Sequence, residues 1–317
     1  MVMGPIKQSV KHKLQVDLGN TRPWIGIGLL LISGLGFSSS IIIASMVIKQ
    51  GVGVNTSNAV RYLVATVLLF VCQKAAKKPI KIQPRERYMA LALGLTVFMM
   101  GIGYLGATQY IPVSTAVLVF YTGPFFIIFI SRFTENEPIT IIRLTAVVIA
   151  FLGLSLALGI QPTSIFQISG VLFALMAAIG MAIFVAVSSL TIRTADPQAV
   201  NLHSLFSGTL LFILFLFIGD DPANAITSTN LFGLCCSGFA IGVAYVAFYA
   251  GLKIIGPVKA SMLMNTEPIF TIASATAILG EKLSCLKFIG AVLVIIGIIM
   301  ITCKSARNPI RLRCLRL

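Results

Sequence analysis

Charge is scarce in this 317-residue sequence: 10% of its residues are Asp, Glu, Lys or Arg, against roughly 25% in a soluble domain. With 57% hydrophobic residues, the chain cannot hide its apolar surface inside a soluble globule. There are two histidines, and the six cysteines (Cys72, Cys235, Cys236, Cys285, Cys303, Cys314) show no metal-ligand spacing. That pattern implies neither a metal site nor a disulfide framework, and small buried thiols are expected instead. No Walker A sequence occurs, so direct use of ATP is unsupported, and no cofactor is implied. The scattered carboxylates form no titratable cluster of the kind a membrane-embedded enzyme needs. Pore-lining rings and a filter segment, which mark channels, are absent as well.

What remains is a series of apolar runs of about 17–25 residues, the mark of an all-α polytopic membrane protein in a lipid bilayer. Ten transmembrane helices are predicted, at 24–48, 54–72, 88–108, 113–133, 141–159, 168–190, 199–218, 229–250, 258–279 and 284–303. Polar, turn-forming text such as "KKPIKIQPRER" (77–87) and "TADPQ" (194–198) separates them. The first 23 residues read as a basic tail, and the run after them is too long for a signal-peptide core. Residues 304–317 form a second basic tail. With the N-terminus in the cytoplasm, every Lys and Arg lies in a cytoplasmic segment except Arg61, Lys49, Lys282 and Lys287. This bias predicts that both termini are cytoplasmic. It also explains the net charge of +15 as a topology signal, with no nucleic acid partner implied.

The chain repeats itself at an offset of 144 residues. Gly26 pairs with Gly170, Gly36 with Gly180, Pro124 with Pro268, Glu137 with Glu281, and Gly153 with Gly297; "YTGPFF" (121–126) lies over "NTEPIF" (265–270). Each half, 24–159 and 168–303, holds five spans, and an odd number forces the second half to enter the membrane inverted. Inverted five-helix repeats are a recurrent architecture of secondary transporters, with the solute site near the midplane between the halves.

The stretch "ASMLMNTEPIFTIASATAILGEKLSCLKFIGAVLVIIGIIMI" (260–301) resembles the second-half signature of EamA-type members of the drug/metabolite transporter superfamily. "STAVLVFYTGPFFIIFISRFTENEPIT" (114–140) looks like a degraded first-half copy, and "NAVRYLVATVLLF" (58–70) is similar to the family's second helix. One departure is "GFSSS" (36–40), where many members carry a Trp-Gly pair. The resemblance implies a ten-helix carrier that moves a small organic solute by alternating access; the superfamily covers amino acids, nucleotide-linked sugars, drugs and other metabolites, and an amino acid or a related solute is expected here. Coupling to protons is one expectation. Uniport, exchange or drug export without protons is the alternative, ahead of a channel or an enzyme.

Several residues are candidates for the site. Glu267 stands about 13 Å along the ninth span, near mid-bilayer, where a carboxyl needs a partner or a neutral form. It reads either as a proton-titrating or amine-binding group, or as a protonated carboxyl that bonds a neighbouring helix. Pro124 and Pro268 each free a carbonyl at mid-depth; they mark a transport site or only kink the helices for packing. Arg61, with Asn58 and Tyr62, lies two turns inside the second span, where it can bind an anion, snorkel or hold a gate. Tyr104, Tyr121, Tyr245, Tyr249 and Asn265 are candidate cavity walls, and Ser39, in the run Ser38–Ser40, is a further one. His203 is expected to make an interfacial hydrogen bond. Glu137 and Glu281 are expected to anchor turns at the membrane edges. "GIGYLG" (101–106) imitates a dinucleotide-binding motif inside a span with no preceding strand, and such a site is not expected there.

Overall fold

The computed structural model describes residues 23–107, 110–111, 113–134, 139–158, 167–217, 227–270 and 285–304. Among them every regular element is an α-helix. In chain order these are α1 (Pro23–Lys49), α2 (Val54–Ala75), α3 (Pro84–Ala107), α4 (Val113–Phe120), α5 (Gly123–Thr134), α6 (Ile141–Ala157), α7 (Ile168–Thr191), α8 (Pro197–Leu216), α9 (Ser228–Ile255), α10 (Pro257–Met264) and α11 (Cys285–Lys304). Among the described residues seven helical stretches are long and apolar enough to cross a membrane, one of them running through the α4–α5 break, and α6 and α11 are shorter apolar helices. Both tails, Glu137, Glu281 and the ninth span beyond Phe270 lie outside the described residues.

Local chemistry explains most boundaries. Asp196 caps α8, its carboxylate accepting from the Gln198 and Ala199 amides at 3.0 and 3.1 Å, with Pro197 in the first turn. Thr227 caps α9 by accepting from the Asn230 amide at 3.2 Å. At the other end Gly256, with φ +80°, takes a conformation that favours glycine and separates α9 from α10. Helix α3 starts four residues before the predicted span, because Pro84 and Glu86 suit a first helical turn.

The largest departure from the expected spans is in the fourth, which is two helices. The chain turns at Tyr121–Thr122 between α4 and α5. The ninth span does the same at Asn265–Thr266, and the helix resumes over 267–270. Each turn is held alike. Thr122 Oγ1 donates to the Val119 carbonyl at 2.6 Å, and Thr266 Oγ1 donates to the Leu263 carbonyl at 2.7 Å. Pro124 and Pro268 follow two residues after these threonines and cannot donate to the preceding turn.

The helices pack mainly across the two halves. Helix α1 lies along α9 and α3 along α7, while α3 also meets α8, α9 meets α2, α6 meets α11 and α2 meets α8. Glycines set these crossings, and their neighbours recur at the sequence offset. A Cβ on Gly26 would meet Ile254 and Ile255 at 2.9 and 2.7 Å; on Gly170 it would meet Tyr110 and Ile111 at 2.9 and 2.8 Å. Likewise Gly153 sits against Gly290 and Val294, and Gly297 against Ala146 and Ala150.

One prediction follows for α6. A methyl at Gly153 would lie 2.7 Å from the Gly290 carbonyl oxygen, the Leu293 Cβ and the Val294 nitrogen. Because the obstacles include backbone, α6 and α11 must separate, at a cost of about 1–3 kcal/mol. Gly153→Ala is therefore expected to lower the thermal midpoint of the detergent-solubilised protein by several degrees.

Two expectations need correction. Four cysteines are not buried thiols: Cys72 and Cys285 are exposed, Cys235 and Cys236 are half-buried, and these four are free. Ser39 lies on the exposed stripe of α1 with Ile32, Leu35 and Met46, whereas Ser38 and Ser40 point inward. On a helix a run of three residues cannot face one way, so the middle serine is turned towards lipid.

Candidate functional site

Glu267 is the first residue of the helical segment that resumes after the Asn265–Thr266 turn, and it is half-buried. The phenol of Tyr121, at the equivalent turn in the first half, sits within side-chain hydrogen-bonding reach of its carboxyl. That phenol closes no hydrogen bond of standard geometry among the described residues. Tyr104 of α3 and Tyr62 of α2 lie within electrostatic range of the same carboxyl. The two helix breaks therefore bring Tyr121 and Glu267 together, and α2 and α3 add two more phenols.

Aromatic packing holds these tyrosines. Tyr104 meets Phe120 edge-on at 5.6 Å, and Phe120 meets Tyr121 at 5.2 Å. Tyr62 stacks on Phe212 at 4.9 Å with the planes 20° apart. Tyr245 packs edge-on against Phe37 at 5.0 Å and Phe184 at 5.9 Å, and its ring lies 6.4 Å from that of Tyr62. Such rings offer an ammonium group their negative faces, beside a carboxyl that can take its charge.

The position matched to Glu267 in the first half is Gly123. A Cβ there would meet the Met181 sulfur at 3.1 Å and the Ala178 carbonyl at 3.5 Å. The residue at the Ala178 offset in the first half is Gly34, where a Cβ would meet Thr266 Oγ1 at 3.1 Å and the Phe270 ring at 3.3 Å. The pseudo-symmetry thus stops at this pair: one half carries a carboxylic side chain, and the other a glycine packed against α7.

Arg61 does not reach the membrane interface. It is only 6% exposed, and its Nη2 donates to Ser40 Oγ at 2.9 Å. A longer bond of 3.3 Å runs from Nη1 to Asn58 Oδ1. Ser40 in turn is clamped to α9, its hydroxyl 2.9 Å from that of Ser237, which donates to the Ser40 carbonyl at 2.7 Å. Arg61 is therefore held between α1, α2 and α9, within electrostatic range of Tyr62 and Tyr245.

Asn265 belongs to the turn before Glu267, while Tyr249 and His203 make their bonds elsewhere. Tyr249 is fully buried, its hydroxyl 3.0 Å from Ser188 and 3.2 Å from Ser204, which ties α9 to α7 and α8. Asn265 is buried in the turn, with its Oδ1 without a partner among the described residues. His203 Nδ1 lies 2.8 Å from the carbonyl of Ala199 on its own helix. The glycines of "GIGYLG" are packing sites, with Gly101 against Phe212, and Gly103 and Gly106 against Phe173. Reading the sequence for ionisable groups misses Ser237 and the bond from Arg61 to Ser40, since serines are common in helix interfaces, and undervalues Tyr62. The 62–245 pairing has no sequence signal, because it crosses the halves off the repeat offset.

The sequence profile described as the EamA-like transporter family matches residues 24–159 and again 168–303. The uncharacterized transporter YoaV of Bacillus subtilis (strain 168) is 26% identical over 261 residues, covering 80% of this chain and 88% of the relative. The threonine/homoserine exporter RhtA of Salmonella typhimurium (strain LT2) is 26% identical over 301 residues, covering 92% and 97%. A solved crystal structure superimposes with a TM-score of 0.76 at 17% identity, over 89% of this chain and 98% of that one, a likeness of fold alone.

Proposed function

We propose that this chain, which belongs to the EamA-like transporter family, is a multi-pass cell-membrane carrier of ten helices with both termini cytoplasmic. Its two inverted five-helix halves, 24–159 and 168–303, move a small amine-bearing metabolite, an amino acid or a related solute, by alternating access. The observation that carries this reading is Glu267 at a mid-span helix break, facing Tyr121 at the matched break of the other half. Broken helices at corresponding positions are where carriers of inverted-repeat design place their solutes. A relative that covers nearly the whole chain is named a threonine/homoserine exporter, which supports the amino-acid class.

In this mechanism Glu267 holds one cation at a time, either a solute ammonium or a proton. When the proton binds, the carboxyl loses the charge that holds the ammonium, and the solute leaves. Tyr62, Tyr104 and Tyr121 wall the site, and Arg61 and Asn58 act from the α1–α2–α9 junction. Opening and closing then amount to the halves rocking about the α4–α5 and Asn265–Thr266 breaks.

Counterflow into proteoliposomes tests the proposal. Labelled amino acids, sugars and organic cations are offered to vesicles preloaded with the same compounds. Saturable exchange is expected for amino acids and not for sugars. Non-saturable flux that preloading leaves unchanged would instead identify a channel.

A further inference from the structure

We propose that Arg61, Asn58 and Ser57 form a carboxylate-binding subsite, so that the solute is read as a zwitterion with its ammonium at Glu267 and its carboxylate at Arg61. The inference rests on the solute-site reading of Glu267 and adds the opposite pole.

A guanidinium that is 6% exposed keeps its charge inside a bundle only at a cost of several kcal/mol unless an anion is near. Among the described residues Arg61 has no carboxylate partner; its hydrogen bonds go to Ser40 and Asn58, both neutral. A guest anion would supply the missing charge.

The hydrogen-bonding groups agree. Ser57, Asn58 and Arg61 share one face of α2, being three and four residues apart. All three are buried, and each has one polar atom without a partner among the described residues: Ser57 Oγ, Asn58 Nδ2 and Arg61 Nε. Unmet buried donors cost about 1–3 kcal/mol each. A carboxylate, with two acceptor oxygens, can satisfy Nε–H and Nδ2–H together, and guanidinium favours such paired contacts. The Ser40–Ser237 clamp on Nη2 fixes the plane of the guanidinium before any ligand arrives.

The two poles share one aromatic enclosure. Tyr62 lies within electrostatic range of both Arg61 and Glu267, and Tyr245, its ring 6.4 Å from that of Tyr62, is within range of Arg61. Along α1 the level of Glu267 is marked by Gly34, beside Thr266 and Phe270; that of Arg61 is marked by Ser40. Six residues of helix put these levels about 9 Å apart. A solute that bridges them needs two opposite charges on one molecule, and the extended reach of Arg and Glu side chains shortens the gap.

The test is ligand binding to the purified detergent-solubilised full chain, read by thermal shift and calorimetry. The probes are the common amino acids and homoserine, the methyl ester of each, and the matching decarboxylated amine. At least one amino acid is expected to bind at least about 10-fold tighter than its ester and its amine, which is about 1.4 kcal/mol. In Arg61→Gln the acid and ester should bind alike, and Arg61→Lys should restore part of the preference. If Arg61→Gln fails to fold, Asn58→Ala gives the second reading, with a weakened preference for the acid. Equal binding of acid and ester by the wild type overturns the subsite, as does full discrimination in Arg61→Gln or no binding of any amino acid. Binding with the expected discrimination but no counterflow sinks the carrier reading and supports the subsite.

Discussion

Glu267→Gln is expected to cut amino-acid counterflow about 100-fold and to abolish accumulation driven by a pH gradient, with the protein still folded and monodisperse. The substitution keeps the size of the side chain and removes only its charge and its titratable proton. Removing one member of a desolvated ion pair typically costs 2–5 kcal/mol, and about 2.7 kcal/mol corresponds to two decades in affinity. Tyr121, Tyr104 and Tyr62 remain around the position, so residual binding of the aromatic-cage kind should persist. The measurement is initial-rate counterflow, with an imposed pH gradient as the second arm. If counterflow collapses while the gradient still drives what uptake remains, Glu267 binds solute without coupling protons. If neither changes, Glu267 belongs to the helix packing.

The second large effect concerns folding. Gly94 of α3 crosses α8 where a Cβ would overlap Ser207 Oγ and stand 2.5 Å from the Gly208 nitrogen. Ser207 is not free to retreat, because its hydroxyl donates to the Leu91 carbonyl at 2.7 Å. The matched residue, Gly238 of α9, is also tight against α2, with Val64 Cβ at 2.6 Å and the Arg61 carbonyl at 2.8 Å. Gly94→Val should therefore destabilise by the upper end of the usual 1–3 kcal/mol for overpacking, or more, out of a total of roughly 5–15 kcal/mol. The expected readout is loss of the monodisperse peak in size-exclusion chromatography of the solubilised protein. Gly28→Ala is the control. Nothing lies within 4 Å of a Cβ at Gly28, so helix propensity alone should make it neutral or slightly stabilising.

Much of this architecture is legible in the sequence because lipid leaves so few choices. Apolar runs of spanning length must become helices, and the seven long apolar stretches follow from that rule. The constant offset that joins Gly26 to Gly170 and Gly153 to Gly297 is visible in the letters, and the same pairs sit at matched crossings in three dimensions. Pro124 and Pro268 point to the right neighbourhoods, but each helix turns at the residues just before them. Proline removes a bond from the turn that precedes it, and Thr122 and Thr266 hold that turn. The placement of Arg61 was not legible. Its depth along the span suggests a side chain that could snorkel, whereas Ser40, twenty-one positions away, draws it inward. Contacts between halves that fall off the repeat offset, such as Tyr62 with Tyr245, leave no periodic trace at all.

The interleaving of helices has a consequence for biogenesis. Helix α1 finds its closest partner in α9, α3 in α7 and α8, and α6 in α11, while neighbours within one half touch far less. Each repeat, 24–159 and 168–303, is a unit of sequence without being a unit of folding, because its helices pack mainly on those of the other. A ribosome adding about 5–20 residues per second needs on the order of 10–30 s to deliver the second half. For that interval the glycine faces of α1 and α3 are inserted but unpartnered, held in lipid until their counterparts arrive from the same chain.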